Sequence, residues 1–442
     1  MGYPVVDKIE NLCIEIRDKG EIGIIPYLEI GNINIKDKEY SFNTKASIKG
    51  CKLAKKDDVL ISRVRPTRGA IITVKEEKLC VSNAFTVLRP IKPICSKIVW
   101  YFLAWNKNFL SHLGEKSTGS LYPTVNNNII LNYTIPLPPL GEQKRIVEKL
   151  DAILPKVISA KARLEKMPTI LKKFRQSVLA AACSGRLTED WREGKDLPEW
   201  KEKTIDQIKH PDQYSIGIGP FGSNLKVCDY RESGHPLVFV REIRSQTFSG
   251  INKKYVDAEK FKELKAHYVQ SGELLITKMG APPGDVAIYP ENCEVAVITS
   301  DCIKLKVNEK IAFKKFIYYQ MMGQNFRNNV LSISGGVAQQ KVNLKNFKLI
   351  TLSLPPLEEQ HEIVCRIEKL FALADSLESK YKKAMESIEK IEQAVLAKAF
   401  RGELVPGDPN DEPAEELLKR ILAEKRKFGS KAPKRKKKVM VY

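Results

Sequence analysis

The sequence contains no run of about 18 apolar residues, the minimum a membrane-spanning helix needs. It does not open on a basic stretch followed by an apolar one, so MGYPVVDKIENL is not read as a secretory signal. Gly2 suits a myristoylation start, but Val6 stands where that motif needs Ser or Thr. The nine cysteines are scattered, odd in number and without a CxxC pair, and the five histidines stand apart. Disulfide frameworks and zinc sites both require clustered spacing. Reduced thiols, no metal site and a cytoplasmic setting are therefore expected.

Catalytic signatures are missing together. There is no GxxxxGK[ST] for a P-loop, no HExxH, and no [DN]PP[YF] for amino-methylation. The two Leu-Pro-Pro-Leu segments lack the Asn or Asp that would hold a target amine. No nuclease-type carboxylate cluster stands out. Gly217-Ile-Gly219-Pro-Phe-Gly222 fits GxGxxG, but HPDQYS precedes it instead of an apolar strand, and Pro220 lies inside it. No cofactor is expected in this chain. A tight loop whose main-chain N–H groups approach a phosphate backbone is the better reading.

Positive charge, by contrast, is in excess. Over 442 residues, 74 Lys and Arg against 53 Asp and Glu give +21. Nine of those positive charges lie from Lys425 onward with no acid among them, which leaves +12 on the remainder. A body basic in its own right points to a polyanionic partner. Length suggests two to four domains, and 43% hydrophobic residues suffice for their cores.

The chain repeats itself at a fixed offset. LPPLGEQ begins at Leu137 and LPPLEEQ at Leu354, 217 positions later. The offset persists from Gly119/Gly336, Val125/Val342 and Asn126/Asn343 to Gly185/Gly402 and Leu187/Leu404. After each LPPL, apolar residues alternate at steps of four and three, the seam pattern of a coiled coil. The first seam runs through Ile146, Leu150, Ile153, Val157, Leu164, Leu171, Phe174 and Val178. The second runs through Ile363, Ile367, Leu370, Leu377, Tyr381, Ile388, Ile391 and Val395. Each helix should run about 40 residues, or roughly 60 Å, with the other repeat helix as its partner. Pro155 and Pro168 predict a bend in the first, whereas the second has no proline between Leu357 and Pro406.

The segments before each helix mix short β-like runs with helices. Strands are expected at Ile24–Leu28, Val59–Ser62, Ala70–Val74, Leu237–Val240, Leu274–Thr277 and Val286–Tyr289. Helices are expected at Lys97–Phe109 and Phe313–Asn325. The fold class is α+β: two mixed globular domains, each followed by a long helix, with the helices pairing as an antiparallel coiled coil. The expected segments are a first domain at 1–138 with its helix at 139–185, a polar linker at 186–199, a second domain at 200–355 with its helix at 356–403, and a short helix and basic tail at 404–442.

Polar and basic residues cluster on loops of both halves. Arg can read guanine and Gln adenine through paired hydrogen bonds. Candidates in the first half are Arg63, Arg65, Arg68, Lys116, Tyr122 and Thr124. Those in the second are Gly219, Gly222, Ser223, Lys226, Arg241, Arg244, Lys278, Gln339, Gln340 and Lys341.

LPPLGEQKRIVEKLD from Leu137, LPPLEEQHEIV from Leu354, the VLAAACSGRL and VLAKAFRGEL helix ends, Gly219-Pro-Phe-Gly-Ser-Asn-Leu-Lys226, Leu197-Pro-Glu-Trp200 and DEPAEELLKRI from Asp411 carry a resemblance across nearly the whole chain. It resembles the specificity subunit of type I restriction–modification systems. The resemblance implies that each globular half reads one half of a bipartite double-stranded DNA site. It implies that the two helices act as a ruler and dock two modification subunits, which hold S-adenosylmethionine and methylate adenine. A full complex adds restriction subunits with ATPase and nuclease activity, and this chain itself is non-catalytic. The first half lacks a Gly-Pro-Phe-Gly-Ser counterpart, so its N-terminal edge is expected to be shorter. A rod of roughly 60 Å spans on the order of 15–18 base pairs. The alternative is a non-catalytic coiled-coil scaffold that binds RNA or acidic partners through its basic domains.

Overall fold

The computed structural model describes residues 5–19, 24–46, 51–244, 247–251, 254–280, 282–335 and 340–430. They form two compact units. The first comprises Met1–Glu165 with Lys382–Tyr442, and the second is Lys166–Tyr381.

Each unit holds two four-stranded sheets. In the first unit an antiparallel sheet runs in the order Cys13–Glu15, Phe85–Pro90, Val59–Ser62, Ile71–Thr73. The other runs Asn43–Ala46, Ile24–Leu28, Leu79–Val81, Lys52–Ala54, with its middle pair parallel. The all-apolar run Val59-Leu60-Ile61 has a simple cause. Successive side chains leave opposite faces of a strand, and both faces are covered. Val59 and Ile61 pack with Ile98, Phe102 and Phe109, while Leu60 packs with Leu28, Leu79 and Val81.

The second unit repeats this plan. Ile216–Ile218, Cys302–Leu305, Leu274–Thr277 and Val286–Ile288 form the antiparallel sheet. Tyr255–Val256, His235–Val238, Ala296–Ile298 and Tyr268–Val269 form the one with a parallel middle pair. The helices expected at Lys97–Phe109 and Phe313–Asn325 are each two helices. In the first unit Ser96–Ala104 and Lys107–Glu115 part at Asn106, whose side chain caps the second by accepting from Phe109 N at 3.1 Å. In the second, Lys314–Met322 and Gln324–Ser332 part at Gly323.

A two-stranded ribbon closes each domain. Val6–Lys8 pairs with Thr134–Pro136, and Lys201–Thr204 pairs with Thr351–Leu354. The long helices start directly beyond these ribbons. We label Leu140–Leu164 α1, Met167–Cys183 α2, Leu357–Arg401 α3 and Ala414–Ser430 α4. The expected bend in the first repeat helix is a break at Glu165–Lys166. Pro168, in the first turn of α2, has no N–H to give to the carbonyl four residues back. Pro155 stays inside α1. The proline-free second helix is unbroken over 45 residues.

The seams differ from the expected continuous helix–helix stripe. Ile146 and Leu150 of α1 are fully buried, but in the first unit's main core, with Leu396 and Ala399 of α3 and Leu417 and Ile421 of α4. Ile363 and Ile367 of α3 enter the second unit's core with Val178 and Ala182 of α2. Leu171 is buried too. Ile153, Val157, Leu164, Phe174, Leu370, Tyr381, Ile388 and Val395 are half-buried. Leu377 and Ile391 remain exposed, because stretches away from the domain cores have fewer neighbours to cover them.

In both units the helix neighbours run antiparallel. In the first, Lys161 pairs with Glu392 at 3.6 Å, and Ile146 of α1 shares a cluster with Leu396 and Ala399 of α3. In the second, Arg175 pairs with Asp375 at 2.6 Å, and Val178 and Ala182 of α2 share a cluster with Ile363 and Ile367 of α3. Partner numbers fall as chain numbers rise.

The expected polar linker is an anchored segment. Glu359, fully buried on α3, accepts from Thr188 Oγ1 at 2.8 Å, from Trp200 Nε1 at 3.1 Å and from Arg192. A buried carboxylate needs such partners. Among the described residues no helix is long and apolar enough to cross a membrane.

Candidate nucleic-acid interface

Topology brings several loops of each unit to one end. In the second unit the pairs Ile218/Ile303, Thr277/Cys302, Ile276/Val286 and Val238/Ile298 put strand ends side by side. The loops 219–226, 239–244, 278–285 and 299–301 therefore leave the sheets together. In the first unit Glu15/Leu88, Ser62/Phe85, Ile61/Ile71 and Leu28/Val81 do the same for 29–32, 63–70 and 82–84.

The same main-chain ladder holds both sets. Arg63 N donates to Ala84 O at 2.8 Å, and Val125 N donates to Arg63 O at 3.0 Å. Lys278 N donates to Asp301 O at 2.8 Å, and Val342 N donates to Lys278 O at 3.0 Å. This ladder fastens the segments after Lys116 and Ser334 to the loop end. Thr118 and Thr124 exchange amide hydrogen bonds across the first. Gly280 pairs with Gln340 and Met279 with Lys341 in the second.

The candidates divide by what their side chains do. Arg63 turns its guanidinium onto Asn83 O, and Lys278 turns its ammonium toward Ser300 O at 3.4 Å. These two cations hold the loops they sit on. The Arg63 charge adds to burial in lowering the Lys52 amine below its ordinary value. Arg65 sits in the left-handed region at φ 48, its amide donates to Pro123 O at 2.7 Å, and its guanidinium lies 4.7 Å from the ring centre of Tyr122. Tyr122 is 66% exposed, and Arg68, Lys116 and Thr124 are exposed as well.

In the second unit Gly219 is buried. A Cβ there would stand 2.1 Å from the Thr299 backbone, so this glycine permits a close approach of two loops and offers no surface to a phosphate. Gly222, Ser223 and Lys226 are exposed on the turn beyond it. Only a short 3-10 turn, Val227–Asp229, follows, so the dinucleotide-binding arrangement is absent here. Arg241 lies 5.0 Å from the Phe239 ring centre. Arg244 is exposed and acts on Asp285, whose carboxyl burial pushes up and Arg327 and Arg244 pull down, with burial the largest influence. Gln340 and Lys341 are exposed, and Gln339 lies outside the described residues.

Sequence reasoning missed three features. Leu121 and Phe221, 81% and 67% exposed, are apolar tips beside the basic loops. Nothing in a local pattern tells an exposed Leu from a core one. The glutamine of each LPPLxEQ was also passed over. Gln143 Nε2 donates to Pro138 O at 2.9 Å and its Oε1 accepts from Cys95 N at 3.0 Å. Gln360 does the same with Pro355 O at 2.8 Å and Phe313 N at 2.7 Å. Both are fully buried. Each locks the start of its long helix to the start of a domain helix, Ser96–Ala104 in the first unit and Lys314–Met322 in the second.

Residues 7–167 and 240–387 match the family model described as the type I restriction modification DNA specificity domain. The chain belongs to the type I restriction–modification DNA specificity family. Within that family the EcoBI specificity subunit of Escherichia coli is 33% identical over 360 residues, 74% of this chain and 72% of its own. The EcoKI specificity subunit of E. coli K12 is 29% identical, covering 90% and 87%. A chain solved in work on assembly and conformational transition of a type I R-M system superposes with a TM-score of 0.69 over 91% of this chain and 98% of its own. It is 19% identical, so this likeness is one of fold. The specificity family therefore matches each half of the duplication separately. Both matches include the loop-end ladder and the buried glutamine joint.

Proposed function

We propose that this specificity subunit reads a bipartite site in double-stranded DNA, one half-site with each loop end, and is itself non-catalytic. Its partners in the cytoplasm are two methyltransferase subunits, which bind S-adenosylmethionine and dock on the long helices, and restriction subunits in a full complex. The observation that carries this reading is the pair of loop ends. They share one main-chain scaffold, yet present different side chains: Arg65 against Gly280, and Thr124 against Lys341. A scaffold held by backbone hydrogen bonds leaves its side chains available for base edges. Basic side chains around them supply attraction to phosphate.

The test is an exchange of residues 200–355 for those of another specificity subunit, with methylated sites then mapped by sequencing. One half-site should change and the other should stay. Change in both, or in neither, overturns the reading. Insertion of one heptad into the long helices should lengthen the spacer and leave both half-sites intact.

A further inference from the structure

Lys38 is a lysine in a costly place. It is 8% exposed, and its backbone stands in the left-handed region at φ 60. Burial of an ammonium and a left-handed non-glycine residue both cost free energy, so the surrounding structure must hold them in place. Lys38 Nζ donates to Gly69 O at 2.7 Å and lies 5.6 Å from the centre of the Trp105 ring. Gly69 ends the turn Pro66–Arg68, and it too is left-handed, at φ 70. That turn directly follows Arg65, and Arg68 is its last residue. On the other side, the Glu392 carboxylate of α3 favours the charged form of Lys38, and Glu392 is itself paired with Lys161 of α1 at 3.6 Å. Among the described residues, Glu392 is the charge that acts on Lys38, and behind it Lys161 lies between Glu392 and Glu389, the latter at 3.9 Å.

We propose that Lys38 is a positioning residue for DNA recognition, fixing the Arg65–Gly69 loop of the first domain against the long helix so that only the first half-site depends on it. The inference rests on the reading of the two loop ends as half-site readers. The second unit holds its corresponding loop differently. Gly284 N and Asp285 N donate to Thr277 Oγ1, both at 2.9 Å, and Asp285 pairs with Arg327 at 2.7 Å. Burial lowers the Lys38 amine to about 8, against which Glu392 acts. Between that value and its ordinary one the unfolded chain binds more protons, so the charged form costs stability at neutral pH.

The experiment uses the chain assembled with its methyltransferase subunits. Methylated sites are mapped for the unaltered complex and for Lys38→Met, and melting is followed for both. The expected result is a loss of about tenfold in discrimination at the first half-site, an intact second half-site and a melting temperature not lowered. Lys38→Arg should restore part of the loss. The unaltered complex should lose first-half-site discrimination between about pH 7 and about pH 9.5, with the second half-site as internal control. Lys38→Met with both half-sites intact overturns the inference, as does a variant that melts early and loses both half-sites together, or a pH profile equal for the two. An unaltered complex that methylates no bipartite site overturns the underlying reading instead.

Discussion

The joints at the starts of α1 and α3 and the loop ends of the two domains obey opposite rules. At the joints the two repeats use the same atoms. Gln143 and Gln360 each give to a proline carbonyl and take from a helix-start amide, with distances that agree within 0.3 Å. At the loop ends the backbone agrees and the side chains do not. The counterparts of Thr277 and Asp285 by strand register are Ser62 and Ala70, and the residue 217 positions before Arg327 is Leu110. The difference follows from what each place must satisfy. A buried amide has no tolerated substitute, because losing it strands two main-chain groups. A loop whose main chain bonds to main chain can change its side chains at little cost.

The largest expected effects lie where the helix starts enter the domain cores. Ile146→Ala and Ile363→Ala should each lower stability by about 3 kcal/mol, since both are fully buried in a packed cluster. Denaturant titration should find similar values for the two. A gap of more than about 2 kcal/mol would break the equivalence of the joints.

Next come the glutamines. Gln143→Leu and Gln360→Leu keep the volume and remove the clamp, leaving Cys95 N with Pro138 O, or Phe313 N with Pro355 O, unpaired. A loss of about 2 kcal/mol is expected for each, with DNA specificity unchanged in the assembled complex. Thermal melting and site mapping read the two quantities separately. An altered half-site with unaltered melting would move the joint into the reading machinery.

Arg327→Met acts only on the second loop end. It leaves Asp285, with 18% of its side chain exposed, without its nearest cation. Solvent screening at the half-exposed arginine keeps the expected cost to about 1 kcal/mol. Because the Asp285 carboxyl is already raised by burial, the variant should raise it further, and the ionised form should become a larger burden as pH rises through that value. Acidification toward that range should therefore recover part of the lost stability. A stability loss that instead grows on acidification would show Asp285 to be held by something other than Arg327.

The repeat was legible because a 217-residue offset needs no structure to be seen, and its strands and α+β class followed from apolar runs. The reason those runs lack alternation was not legible, because it depends on a second sheet covering the far face of Val59–Ser62. The helices were visible in the four–three spacing, but the spacing could not say what fills the stripe. Ile146 and Ile363 meet a domain core, whereas Leu377 and Ile391 do not. At the loop ends, residue type pointed to segments that the fold gathers at one end of each unit, but it could not say where particular side chains turn. Arg63 and Lys278 look like readers in sequence, yet they turn back onto carbonyls. Gly219 looks like a phosphate loop, yet it touches Thr299. Lys38 had no signal at all, since a surface lysine and a buried one are spelled alike.

The exposed stripe should respond least to substitution in the isolated chain. Leu377→Ala and Ile391→Ala remove side chains that are 38% and 50% exposed. Little apolar area returns to water, so each should cost under about 1 kcal/mol. The neighbouring ion pairs of Arg175 with Asp375 and of Lys161 with Glu392 should add comparably little, and salt should weaken them further. These four sites should therefore leave the melting of the isolated chain nearly unchanged. In the complex the expectation reverses, because an apolar residue left open on a helix has area to give to a partner. If the methyltransferase subunits cover the stripe, Leu377→Ala and Ile391→Ala should weaken assembly, measured by titration of one subunit into the other, while the core variants act on folding first. Equal loss of assembly from Leu377→Ala and from an exposed polar position such as Lys382→Ala would argue that the stripe is not the docking face, and the subunits would then be held at the domain ends of the helices.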